Sequence, residues 1–306
     1  VHLRYARHTT DLEKITRFYT DIVGLQVLGR FSEHEGYNGV FLGFPGQSWH
    51  LEFTTSEKKP AQLFDEDDAL VLYVHAEIEL DAIKAQLQQQ QVPIRKPLNP
   101  YWQKHGMMIS DPDGYHVIFA FKDIVFAERN EPSPLFGQYE ITSWNGLLEY
   151  VKQLPYGRNQ NRNNCFLVLT EQKGTCSSKH ALVKKIADQY GIGQVKLVMG
   201  IYKMNHQNTP KIGSLLTDRR LEYIPEAHCY LKIHDRRVDL TSPESDIDNL
   251  VKDLMEEVEI EPEQVSEFKV RYHQDFVKRW MKEYKIKMEF DEVWSTRELC
   301  IQNLSQ

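Results

Sequence analysis

The sequence has only four cysteines in 306 residues, Cys165, Cys176, Cys229 and Cys300, and no two form a CxxC pair. That scarcity excludes a disulfide scaffold and a zinc knuckle, which need clustered cysteines. It fits a reducing, cytoplasmic setting. Long apolar runs are missing as well: nothing approaches the roughly 20 residues that cross a bilayer. Positive charge is in deficit, with 37 lysines and arginines against 44 acidic residues and a formal net charge of −7. Nucleic acid needs a basic surface to neutralise phosphates, and an anionic membrane attracts the same chemistry, so neither is an expected partner. The opening residues Val1-His2-Leu3-Arg4-Tyr5-Ala6-Arg7 carry no charged-then-apolar signal pattern and read directly into a strand.

What is present is ordinary globular material, 41% hydrophobic and 26% charged. The length suggests two domains. Residues 2–9 alternate as a strand. Thr10 is the expected cap of the next helix, with Glu13 completing a capping box. Leu12, Ile15, Phe18 and Ile22 form its apolar stripe and Gly24 its stop. Strands are expected over 26–31, 39–44 and 49–54. The order then recurs: a strand at 70–74, a helix at 79–91, and strands at 94–96, 107–110 and 115–121. The repeat of a βαβββ unit at a period of roughly 65 residues signals internal duplication, and two such units side by side make a cupped sheet.

After Phe121 the pattern changes. Residues 124–142, with Pro132, Pro134 and Gly137, read as a linker between domains at 1–123 and 143–306. Ser143 caps a helix running to Gln153. Residues 165–170 read as an apolar strand, 174–190 as a loop entering a helix, and 196–203 and 227–233 as strands. A polar turn at His234-Asp235-Arg236-Arg237 leads to a short strand at 238–241. The acidic stretch 246–263 reads as a solvated helical face. The tail reads as helical, with Val265, Phe268, Tyr272, Phe276 and Trp280 as its packing stripe.

Three local patterns carry a resemblance over residues 2–122: Asp11-Leu12-Glu13…Arg17-Phe18-Tyr19…Gly24-Leu25, Trp49-His50-Leu51-Glu52-Phe53, and Asp111-Pro112-Asp113-Gly114-Tyr115. With the duplication, they resemble the vicinal-oxygen-chelate superfamily of glyoxalases, bleomycin-resistance proteins and extradiol dioxygenases. The block Asn99-Pro100-Tyr101-Trp102 is similar to a small bacterial subgroup. The family's metal-ligand positions fall here on Arg4, Glu52, Ala69 and Ile118, of which only Glu52 can hold a metal. Arginine has no lone pair to give. The resemblance therefore implies the fold without the usual metal quartet, and no cofactor is expected. The family's register turns Arg4, His8, His50, Glu52, Tyr73 and His116 toward the cup, with Trp102 beside them, as candidate ligand-binding residues. Arg4 can pair with Glu52 or grip a ligand carboxylate or phosphate. A shifted metal set of His50, Glu52 and His116 stays open, as does a homodimer, since members pair repeats across dimers.

The second constellation begins at Gly174-Thr175-Cys176, where a cysteine enters a helix N-terminus. The helix dipole and unpaired N–H groups there favour thiolate, and Gly174 leaves backbone N–H groups near the sulfur for an oxyanion hole. A nucleophilic cysteine needs a base and a group that orients it. His228 lies on a strand, and the following hairpin returns Asp239 beside it. Cys176, then His228, then Asp239-Leu240-Thr241-Ser242-Pro243 resembles the transglutaminase-like superfamily of papain-type cysteine enzymes over residues 143–245. The resemblance makes Cys176 the nucleophile, His228 the general base and acid, and Asp239 the orienting residue. Tyr230 is the nearest aromatic after the histidine. Asn159, Gln160 and Asn164 are candidate side-chain oxyanion donors. His180 is a rival base with nothing to orient it, and Pro155-Tyr156-Gly157-Arg158 shapes the cleft entrance.

The expected fold is thus α+β throughout: a duplicated βαβββ cupped sheet followed by a papain-like, transglutaminase-like α+β domain. The expected function is a cysteine hydrolase or acyl transferase acting on a small-molecule or peptide amide through a thioester, fused to a small-molecule-binding domain. Two alternatives stay open. One is a non-enzymatic binding or resistance-type protein with a degenerate second domain. The other is a metal-dependent lyase or dioxygenase with shifted ligands.

Overall fold

A computed structural model describes residues 2–128, 137–193, 195–234 and 236–304. Pro132 and Pro134 of the expected linker, and Asp235 of the expected turn, lie outside the described residues. The chain divides into two units, Val1–Asp123 and Ile124–Gln306. Among the described residues no helix is long and apolar enough to cross a membrane.

The first unit holds two βαβββ-type modules. The first comprises β1 (Leu3–His8), α1 (Leu12–Arg17, continued by a π-helical turn to Ile22), β2 (Gln26–His34), β3 (Tyr37–Gly43) and β4 (Trp49–Thr55). They form a sheet in the order β1-β4-β3-β2. The second comprises β5 (Ala69–Val74), α2 (Glu77–Gln89), α3 (Pro100–His105), β6 (Gly106–Ser110) and β7 (His116–Phe121), with sheet order β5-β7-β6. In each module the first strand pairs parallel with the last. The alternating strand residues Val40, Leu42, Leu51, Phe53, Val117 and Phe119 meet Ile15 and Tyr19 of α1 and Ile83 and Leu87 of α2 in one shared core.

Two expectations fail here for local reasons. Asp11, not Thr10, caps α1, its carboxylate accepting from the Lys14 N–H at 3.0 Å. Thr10 instead donates to Asp113, and the Glu13 carboxylate pairs with Arg30, so no capping box forms. The strand expected at 94–96 shrinks to one bridge between Arg95 and Met108. Asn99 then caps α3, with Pro100 at its first position, where a missing N–H costs nothing.

In the second unit Ser143 caps α4 (Trp144–Gln153) as expected. Residues expected as a strand at 165–170 form a helical turn, α5 (Leu167–Thr170), because Asn164 accepts from the Phe166 N–H and starts a turn. Then follow α6 (Cys176–Gln189), β8 (Val195–Met204), α7 (Leu215–Asp218), β9 (Ile224–Ile233), β10 (Arg236–Val238), α8 (Ile247–Val251), β11 (Leu254–Ile260), α9 (Glu267–Glu283) and α10 (Phe290–Asn303). The antiparallel sheet runs β10-β9-β8-β11.

The acidic stretch is only partly helical. Its second half is β11, which pairs with β8 and closes the sheet. The expected strand at 238–241 ends at Val238, leaving Asp239 on the loop beyond. In α9 the buried residues are Lys269, His273, Val277 and Trp280, and Phe268, Tyr272 and Phe276 are half-buried beside them. The stripe is therefore rotated by about one residue, or roughly 100°, from the aromatic one drawn on the sequence.

Candidate functional site

Cys176 is the first residue of α6. Thr175 caps the helix through a reciprocal box with Ser178: the Ser178 N–H donates to the Thr175 hydroxyl at 3.3 Å and the Thr175 N–H to the Ser178 hydroxyl at 3.0 Å. Gly174 permits the approach by being small. A Cβ there would lie 2.8 Å from Lys179 Cγ and 3.1 Å from both Ser178 Oγ and Val168 Cγ2. Its own N–H is spent on the Pro155 carbonyl at 3.1 Å, and those of Ser178 and Lys179 on Thr175, so the backbone donors an oxyanion would use are those of Cys176 and Ser177, not Gly174.

β9 carries His228, and the loop after β10 carries Asp239. His228 Nε2 and Asp239 Oδ2 are 2.9 Å apart, and the ring and the Cys176 sulfur are close enough for each to shift the other's protonation. The Thr241 N–H donates to Asp239 Oδ1 at 2.9 Å and holds the carboxylate in place. The structure thus brings Cys176, His228 and Asp239 together in the order expected from the sequence.

Charge sets the protonation of this group. Burial alone pushes the Cys176 thiol up, but the Lys269 ammonium and His228 outweigh it and bring it down to about 6. Burial likewise opposes the charged form of His228. Asp239 and the Cys176 thiolate overcome that and hold the ring well above its ordinary value. Both shifts favour a thiolate–imidazolium pair at neutral pH.

Sequence reasoning missed Lys269. It is buried on α9, with Nζ 2.7 Å from the Ser177 hydroxyl and 3.8 Å from Cys176 Sγ. The signal was there: Lys269, His273, Val277 and Trp280 recur at spacings of four, four and three, which marks one helix face, but the adjacent Phe268, Tyr272 and Phe276 stripe is the more apolar of the two.

His180 proves well oriented, against expectation. It is fully buried, its Nδ1 donates to the Cys176 carbonyl at 2.6 Å, and its Nε2 accepts from the Leu240 N–H at 2.8 Å. Burial lowers it to about 4, so it is a neutral strut with both nitrogens committed. Lys179 supports the same loop, donating to the carbonyls of Leu154 and Thr241. One helix therefore presents the sulfur and fixes the Asp239 loop.

The candidate oxyanion side chains fare poorly. Asn159 is near the sulfur, but its amide donates to Glu171 and to the Lys173 carbonyl. Gln160 is exposed, and Asn164 caps the turn before α5. Cys165, Cys229 and Cys300 are buried free thiols. Beside Cys176 lies a cleft of about 240 Å³, with Tyr156 and Arg158 among its lining residues.

The cup residues of the first unit divide. Arg4 pairs with Glu52 at 3.1 Å and lies over the Phe41 ring, and His50 Nδ1 is 3.1 Å from His2 Nε2, the two rings tilted to one another. His8 meets Ser56. Tyr73 is 45% exposed, with Lys122 over its ring. Trp102 packs on Met108, Ile118 and Ala120, covering that sheet face. His116 is buried against the Glu66 carbonyl. Among the described residues no three His, Cys, Asp or Glu side chains gather as a metal site, so His50, Glu52 and His116 are not brought together.

Two family models match the first unit: the YycE-like N-terminal domain over residues 3–54 and the YycE-like C-terminal domain over 67–121. The uncharacterized protein YycE of Bacillus subtilis (strain 168) is 41% identical over 118 residues, 38% of this chain and 85% of that protein. Through residues 3–121 this chain belongs to the YycE-like family. The crystal structure of a Bacillus subtilis YycE protein of unknown function, described as a putative glyoxalase/fosfomycin resistance protein, is 40% identical. It covers 39% of this chain and 88% of its own, with a TM-score of 0.37. The trypanothione-dependent glyoxalase I of Leishmania major is 24% identical, covering 40% of this chain and 86% of its own, with a TM-score of 0.33. The two YycE-like models fall on the two βαβββ-type modules of the first unit.

Proposed function

We propose that the second unit is a cysteine hydrolase or acyl transferase that opens an amide through a Cys176 thioester. One observation carries this reading: a buried Cys176 at a helix start, electrostatically coupled to His228, whose ring is 2.9 Å from Asp239. The thiolate adds to the amide carbon and the carbonyl oxygen takes the negative charge. Collapse of that intermediate expels the amine, which leaves with the proton of the His228 imidazolium. Neutral His228 then accepts a proton from water, or from an acceptor hydroxyl or amine, as that group attacks the thioester. The acyl product departs and the thiolate–imidazolium pair is restored. Asp239 fixes the ring and offsets its charge throughout. The chain order Cys–His–Asp supports a transglutaminase-like ancestry for this unit.

For the YycE-like unit we propose small-molecule binding without metal chemistry. The half-exposed Arg4, Phe41 and Glu52 group supports it, as a cation over a ring beside a carboxylate suits a small polar ligand.

The test is the pH dependence of alkylation at Cys176, read by peptide mass spectrometry. Only thiolate reacts, so the rate should rise with pH through a midpoint near 6 and stay flat through the range where a free thiol, at about 8.5, is still titrating. In His228→Ala the midpoint should climb toward that of a free thiol. A Cys176 that titrates like an ordinary cysteine would remove the nucleophile from this reading.

A further inference from the structure

The cleft beside Cys176 is lined by four cationic side chains, Arg158, Arg162, Lys269 and Arg297, and two carboxylates, Glu226 and Glu298. The carboxylates are spoken for. Arg297 holds both oxygens of Glu226, one through Nε at 2.6 Å. It also donates to Glu298 Oε1 at 2.6 Å, while Arg158 takes Glu298 Oε2 at 2.7 Å. All four carboxylate oxygens are thus bound by two arginines. Among the described residues neither Lys269 nor Arg162 has a carboxylate within ion-pair reach. Arg162 is exposed at the rim. Lys269 is 8% exposed and meets only the Ser177 hydroxyl and the Cys176 sulfur among side chains.

That arrangement has a consequence once acylation is considered. The thiolate is the counter-ion of Lys269, and a thioester is neutral. Acylation would remove the largest charge facing the buried ammonium and leave it Glu226, whose two oxygens Arg297 already holds, a costly state unless the acyl group brings a negative charge of its own. From this we infer that the Cys176 cleft takes small acyl substrates bearing a carboxylate near the reacting carbonyl, seated between Lys269 and Arg162. The inference rests on the thioester reading above and narrows it. The cleft volume of about 240 Å³ is below the roughly 300–1,000 Å³ of drug-sized sites, so the acyl group is small. Val265, Val270 and Ile301 give it an apolar wall.

The experiment compares two alkylating reagents of nearly equal size on the whole chain: iodoacetate, which carries the carboxylate, and iodoacetamide, which does not. Both consume the same thiolate, so the ratio of their rate constants at Cys176 cancels any change in thiolate fraction. Relative to free cysteine, that ratio should favour iodoacetate by at least about tenfold, the lower end of what a cleft of one charge sign does to association. Lys269→Met and the surface change Arg162→Ala should each lower it, and added salt should lower the Arg162 part. Fast alkylation by both reagents with a ratio no higher than that of free cysteine would overturn the inference and leave the nucleophile standing. Slow alkylation by both would overturn the thioester reading and this inference with it.

Discussion

At the scale of single residues, the site is an exchange of charges within a few ångströms. Cys176 is buried, and burial by itself would make it a poor nucleophile. What reverses that is two cations with different supports. His228 is charged because Asp239 faces it, and Lys269 is charged because the sulfur does. The two should therefore fail differently. In Asp239→Asn the imidazolium loses its counter-charge, so the ring deprotonates at lower pH and the thiol at higher pH. In Lys269→Met the ring keeps Asp239, so the thiol moves up while the ring stays above its ordinary value. Each unit of upward shift removes about tenfold of thiolate below the midpoint. Alkylation profiles read the sulfur, and the His228 ring resonances read the imidazole by NMR. A Lys269→Met profile that overlays the parent would mean that the ammonium does not act on the sulfur at all.

At the scale of elements, α6 links sequence to site. Its start was legible because a glycine, a capping threonine and a cysteine stand in a row, and the hairpin that returns Asp239 was legible from a polar turn between two apolar strands. Other elements were not. The alternation of Glu257, Val258, Glu259 and Ile260 is the signature of a strand, but the surrounding carboxylates read as a solvated helix, and only pairing with β8 decides it. Lys269 escaped for a related reason: periodicity identifies a face by its apolar members, and this face includes a buried ammonium whose partner comes from another element. Gly174 gives the element-scale prediction. Its Cβ in Gly174→Ala would press on Lys179, Ser178 and Val168 from 3.1 Å or less, and overpacking of that kind costs about 1–3 kcal/mol. Because Lys179 also holds the Asp239 loop, the variant should show both a lower urea midpoint and slower Cys176 alkylation at pH 7. Loss of stability with unchanged alkylation would separate the glycine from the site.

At the scale of the whole molecule, two folds of different legibility share one chain. The first was readable from duplication and three local patterns, because both modules feed one core and the sequence must supply the same strand and helix pattern twice. Its site was less readable. The register put Arg4, Glu52, His50 and His116 toward a common cup, but α3 lays Trp102 on the second sheet, and His116 turns to a backbone carbonyl instead of toward His50. What remains of the expected shifted set is the Glu52 carboxylate, already paired with Arg4, and a permanent cation beside a donor repels a metal ion. This makes a prediction for the intact chain. A metal held at 100 times its dissociation constant stabilises a fold by about 2.7 kcal/mol, so its removal would be visible in thermal unfolding. Exhaustive dialysis against EDTA should leave the melting curve and the Cys176 alkylation rate where they were. A fall of several degrees, reversed by adding back one divalent ion per chain, would mean that this unit gathers ligands around Glu52 in spite of Arg4, and would return metal-dependent lyase or dioxygenase chemistry to consideration.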